Sequence, residues 1–134
     1  GESSQSMLSP AFDVSASLPG TYRLDAVFPV RYNKQICQQA EGFVNLPLQI
    51  KGIKFSVFLR EDVEEGIIKA SLRSVGDVPC NLFASTYFNG GGHKNASGGE
   101  IHNSLVAAQA IFFKGMEDWS KSDEESIKQL FKRD

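Results

Sequence analysis

Interleaved strand and helix patterns predict an α/β domain, with α+β as the neighbouring class, built on a mixed β-sheet flanked by helices. Three observations carry this. Residues 53–62 and 67–75 alternate apolar and polar side chains on either side of a short polar connection. Two later stretches, 76–88 and 104–119, place apolar residues at helical spacing. The chain has 134 residues, 41% hydrophobic and 22% charged, the size and balance of a single compact domain with one core.

Taken in order, residues 1–20 are rich in Ser, Pro and Gly and read as a linker or disordered tail, the start of a chain that begins partway through something longer. Residues 21–30 alternate Tyr22, Leu24, Ala26 and Phe28 against polar neighbours, a strand that Pro29 ends. Residues 31–42 hold good helix formers and close on Gly42, as a short capped helix does. The stretch "GFVNLPLQI" stays ambiguous, because Pro47 opposes an interior strand position. Ile53, Phe55, Val57 and Leu59 then share one strand face, as do Ile68, Ala70 and Leu72 on the next strand, with Lys69, Ser71 and Arg73 opposite. Gly66 ends the connection, and the pair reads as a hairpin with one buried face.

The helix expected over 76–88 has Asp77 as its N-cap, Pro79 near its first turn, and a stripe of Leu82, Phe83 and Tyr87. The piece "GEIHN" suits a short strand, and Asn103 or Ser104 starts the helix over 104–119. Ser122 and Glu125 spell a capping box before a last, basic-ended helix.

Net charge is -2 and the pI about 5.7, so no global basic field draws the chain to nucleic acid or anionic membrane. Any anion site is built locally, from backbone amides and a few placed cations. Cys37 and Cys80 are far from CxxC spacing and read as reduced thiols. No signal-like start and no membrane-length apolar run is present, which places the expected location in the cytoplasm and off the membrane.

The stretch "NGGGHKNASGG" (89–99) holds five of the chain's 12 glycines. Glycine admits positive φ and lets amides approach a ligand closely. Gly90, Gly91 and Gly92 followed by one short helical turn over "HKNAS" read as an anion cradle, with His93 and Lys94 at its lip. A phosphate-binding GxxxxGK[ST] loop does not fit, because no Lys-Ser or Lys-Thr follows the glycines. A dinucleotide fingerprint from Gly90 fails at Asn95, and a KH-type GxxG loop lacks its basic, aromatic context. Asn95-Ala96-Ser97 spells a glycosylation sequon without secretory features, and His102 has no acid or Cys at ligand spacing.

"FNGGGHKNASGG" resembles the GGGH-x-x-A-S-G signature of the DHH-associated C-terminal domain of DHH phosphoesterases, the RecJ-type exonucleases, nanoRNA/pAp phosphatases, cyclic-dinucleotide phosphodiesterases and exopolyphosphatase-like relatives. The likeness runs from about Glu41 to about Phe113, through "EGFVNLPLQIKGIKFSVFLRE" and "IKASLRSVGDVPCNLFASTYF". It implies that residues 21–134 form a substrate-binding domain, whose partner is an N-terminal DHH catalytic half with two Mn²⁺ ions. That half is absent here: no Asp-His-His string occurs, and His93 and His102 are the only histidines. The resemblance further implies that Gly90, Gly91 and Gly92 cradle a phosphate, that His93 contacts it as an auxiliary catalytic group, and that Arg73 and Ser74 bind phosphate or the terminal nucleotide. Lys94, Asn95 and Ser97 follow as weaker ligands, with no metal ligand in this chain. The implied function is substrate binding for a manganese-dependent phosphoesterase acting on short oligonucleotides or nucleoside bisphosphates (pAp), and the chain alone is then inactive. The alternative is a stand-alone nucleic-acid- or nucleotide-binding module. The resemblance also allows a homodimer.

Overall fold

A computed structural model describes residues 15–16, 24–25 and 40–132. Ser15–Ala16 (β1) pairs antiparallel with Leu24–Asp25 (β2). β1 thus puts a strand inside the expected tail, and β2 lies in the expected strand. The remainder of both stretches, Cys37, and residues 31–39 of the expected helix lie outside the described residues. The helix described here, α1, is Ala40–Asn45, and it runs through Gly42 rather than ending on it. Leu46–Gln49 continues as a 3₁₀ turn with Pro47 inside it, which settles the ambiguous "GFVNLPLQI" as helical.

The main sheet has four strands: β3 (Phe55–Asp62), β4 (Ile67–Ser74), β5 (Gly91–His93) and β6 (Ala96–Ile101), in the order β3-β4-β6-β5. Each pairing is antiparallel, which corrects the expected mixed sheet. The helix between β4 and β5 does return the chain in the direction of β4. β6 folds back between them, so the two parallel strands never touch. α2 (Cys80–Tyr87) and α3 (Leu105–Ser120) cover one face of the sheet, and the short α4 (Glu125–Lys128) packs beyond α3.

The covered face follows from strand alternation: Ile68, Ala70 and Leu72 are buried with Val57 and Leu59 beside them, as the period-2 pattern requires. Phe83 of α2 is wholly buried at the centre of the core. Its ring centroid lies 5.2 Å from Phe55, 4.7 Å from Tyr87, 5.5 Å from Phe88 and 5.0 Å from Trp119. Burying one such side chain stabilises the fold by about 1.5–3 kcal/mol, and ring pairs add to that. On the opposite, outer face, α1 covers part of the β3–β4 hairpin by stacking Phe43 on Phe58 at 6.0 Å. The rest of that face, over β4, β6 and β5, carries no helix among the described residues.

Helix starts agree with the sequence once and differ twice. Ser104 caps α3, its hydroxyl accepting from the amide of Ala107 at 3.1 Å. Asp77 does not cap α2: Pro79 holds the cap position without a side-chain bond, and Asp77 accepts from Lys94 Nζ instead. The Ser122–Glu125 box does not form either. α4 starts two residues too late for it, with Glu124 at the cap, and Ser122 Oγ accepts from the Glu124 amide.

Candidate functional site

The glycine segment is a hairpin rather than a loop around a helical turn. Gly91–His93 and Ala96–Ile101 pair across a two-residue turn at Lys94–Asn95, and Gly98 and Gly99 lie inside β6. The glycines serve close backbone approach. A Cβ at Gly90 would overlap the carbonyl oxygen of Gly98, and Gly92 has φ +144° with Ala96 O only 2.8 Å from where a Cβ would stand.

Register then decides which side chains meet. His93 pairs with Ala96, Ala96 with Arg73, and Arg73 with Ser56, so these four form one row across the outer face. Directly opposite residues on antiparallel strands project to the same side. His93 and Arg73 therefore rise on either side of Ala96, their Cα atoms about 10 Å apart, two strand spacings. The next row along is Gly91, Gly98, Ser71 and Phe58, which leaves a floor without bulk beside His93. His93 is exposed. Arg73 is half-buried, its Nη1 donating to the carbonyl of Leu72 at 2.8 Å and, at the limit of a hydrogen bond, to that of Ser97 at 3.5 Å.

Several other expected ligands serve the scaffold. Ser74 is buried, its hydroxyl donating to Val78 O at 2.6 Å and accepting from Asn95 Nδ2 at 2.9 Å. Ser97 projects to the core face, where its hydroxyl lies 3.2 Å from Cys80 Sγ. Neither hydroxyl stands on the face that carries His93. The resemblance implies that both touch substrate; strand register, which it does not carry, turns both away from the His93 face. The Gly90 amide is also committed, donating to Ala84 O at 3.1 Å and closing the end of α2. The amides left for an anion are those of Gly91–His93 that point away from β6, and on an edge strand of three residues at least one does.

The turn itself is fastened to the β4–α2 connection. The amide of Cys80 donates to Lys94 O at 2.8 Å and that of Ser74 to Asn95 O at 3.1 Å. Asn95 Nδ2 reaches Gly76 O at 3.2 Å, and Lys94 Nζ meets Asp77 Oδ1 at 2.8 Å. The Lys94 ammonium, by hydrogen bond first and charge second, holds the Asp77 carboxyl below its ordinary value. His93 thus sits on a strand whose following turn is bolted down at several points.

At the far end of the outer face stands a row that sequence reasoning passed over: Arg60, Lys69 and Glu100. Alternation alone puts Arg60 on the side of Lys69 and Arg73, but the register that sets it beside the glycine floor is not readable locally. Lys69 is paired with Glu65 at 2.9 Å and Asp62 at 3.3 Å, hydrogen bonds that raise its own pKa.

Residues 30–121, which include His93 and Arg73, match the model of the DHHA1 domain. The chain belongs to the DHHA1 domain family. It is also similar in structure to an exopolyphosphatase-related protein from Bacteroides fragilis, with 55% sequence identity and a TM-score of 0.57. That likeness covers 60% of this chain and 23% of the other, so the chain spans under a quarter of the length of that relative. No curated protein matches the chain.

The manganese pair that the family implies does not fit this DHHA1 domain's own residues. Among the described residues no three His, Cys, Asp or Glu side chains converge, so the His93 face supplies no ligand set for a divalent ion. No helix of the described residues is long and apolar enough to cross a membrane.

Proposed function

We propose that this DHHA1 domain holds the phosphate-bearing substrate of a manganese-dependent phosphoesterase, one that cleaves short oligonucleotides or nucleoside bisphosphates such as pAp. The observation that carries the reading is the shared row of His93 and Arg73 over a floor of Ala96, Gly91 and Gly98. A phosphate lying on that floor takes an N–H from the His93 imidazole, an outward amide of β5, and charge from Arg73. Such donors stabilise an anion best where they are fixed beforehand, and the fastened turn at Lys94–Asn95 fixes them. Gly90, Gly92, Ser74, Asn95 and Ser97 act as positioning residues, holding β5 and its turn against the sheet. Lys94, exposed and paired with Asp77, completes the electrostatics of the lip.

DHHA1 domains occur with an N-terminal DHH domain in the same chain, and that half is where the metals and the hydrolytic water belong in this reading. Isothermal titration of the 134-residue chain with pAp tests the first step. Saturable binding that His93→Ala weakens about tenfold is expected; a wild-type chain that binds no nucleotide overturns the reading. Incubation with Mn²⁺ and a labelled dinucleotide tests the second. The chain is expected to leave the dinucleotide intact, and turnover would move catalysis into this domain. A protein whose full-length form binds nucleotide yet never cleaves it would be a binding module instead.

A further inference from the structure

We propose that the Arg60 end of the outer face is a second anion subsite, which takes the phosphate two nucleotide steps away from the one at His93. It rests on the substrate reading above and selects within it, favouring oligonucleotides of three residues over nucleoside bisphosphates.

An open groove of about 350 Å³ is lined there by Arg60, Lys69, Ser71, Asn89, Gly98 and Glu100. It lies on the face that carries His93, on the same glycine floor. Arg60 is its one unmatched cation among the described residues. Its Nε is buried and has no hydrogen-bond partner, while the neighbouring Lys69 is satisfied by Asp62 and Glu65. A guanidinium is always charged and has donors only, so a buried N–H without an acceptor carries a standing cost that an incoming anion removes. Glu100 faces it across the groove and takes His102 Nε2 at 3.5 Å. Its carboxylate opposes an anion and tempers the affinity of the subsite.

The spacing names the ligand. From Ala96, over which the His93-end phosphate lies, Arg60 stands two strands across and four residues along, about 16 Å between Cα atoms at the usual strand spacing and rise. Successive phosphates of a nucleic acid are six covalent bonds apart, the reach of two extended residues, at most roughly 7 Å. One step falls about 9 Å short of Arg60, whereas two steps leave about 2 Å, which the long Arg60 side chain spans. A nucleoside bisphosphate therefore occupies the His93 end alone, whereas pApApA extends to the groove.

Isothermal titration of the 134-residue chain at fixed salt tests this with pApApA, pAp and inorganic tripolyphosphate. Wild type is expected to bind pApApA at least tenfold more tightly than pAp. Arg60→Met should erase that gap by weakening pApApA about tenfold, with pAp and tripolyphosphate changed less than twofold. Glu100→Gln, an exposed rim substitution, should tighten pApApA and not pAp, which keeps the test open if Arg60→Met fails to fold. A gap that survives Arg60→Met overturns the subsite, and so does a Glu100→Gln variant that binds pApApA no more tightly than wild type. Equal losses for all three ligands on Arg60→Met also overturn it, since Arg60 then acts through the fold or at the His93 end. Loss of pAp binding by wild type is a different result, and it removes the substrate reading on which the subsite rests.

Discussion

Asn95 Nδ2 donates to the buried hydroxyl of Ser74 across 2.9 Å, joining the turn after His93 to the end of the central strand β4. This bond, with the Ser74 and Cys80 amides donating to the same turn, fastens the turn after His93 to the end of β4 and the start of α2. Removing the Ser74 hydroxyl takes its hydrogen bond from the buried Val78 carbonyl and breaks the bond from Asn95 Nδ2. Ser74→Ala is expected to destabilise the domain by about 1–3 kcal/mol, read from urea unfolding followed by Trp119 emission. It should also weaken pAp binding, since the strand that bears His93 loses its anchor.

His93 itself is exposed, and in the proposed reading it acts in binding rather than in the fold. His93→Ala should leave the unfolding free energy within about 0.5 kcal/mol of wild type. Its effect belongs in the titration with pAp, as a loss near tenfold. A stability change in place of a binding change would place His93 in the scaffold.

Gly90 and Gly92 tolerate no side chain for two separate reasons. At Gly90 the obstacle is the Gly98 carbonyl; at Gly92 it is φ +144° together with the Ala96 carbonyl. Gly92→Ala should cost about 1–3 kcal/mol from overpacking and strained backbone. Gly91 has open space at the Cβ position, so Gly91→Ala should cost less than either neighbour. Thermal midpoints of the three variants give the order.

The Lys94–Asp77 pair predicts a pH dependence with a definite sign. The Asp77 carboxyl is held below its ordinary 3.8, chiefly by its hydrogen bond from Lys94. A carboxyl depressed in the folded state contributes stability above its ordinary value and loses it as pH falls through the depressed one. Asp77→Asn should therefore lower the thermal midpoint slightly at pH 6, and the difference should close as the pH drops below about 4. A difference that widens in acid would contradict the pairing.

Sheet and helix meet in Phe83, which touches Phe55 on β3 and Trp119 on α3 at once. Phe83→Ala should destabilise by about 3–5 kcal/mol and shift Trp119 emission, because the cavity opens beside the indole.

The amino-acid sequence alone determined the parts whose signal is local. Alternation over 53–62 and 67–75 dictates the β3–β4 hairpin and its buried face, because each apolar residue must point to the same side. Ser104 starts α3 because its hydroxyl meets an amide three residues on, and the GGGH string with the segments before it carries the family resemblance. Tertiary structure decided whatever depends on residues far apart. β6 folds back between β4 and β5, and that placement makes the sheet antiparallel and turns "NGGGHKNASGG" into a hairpin. Register, which only pairing creates, then sorts the candidate residues. It sets His93 beside Arg73 on the open face, sends Ser97 into the core, ties Ser74 beneath the turn, and brings Arg60 to a groove that nothing in its own neighbourhood announces.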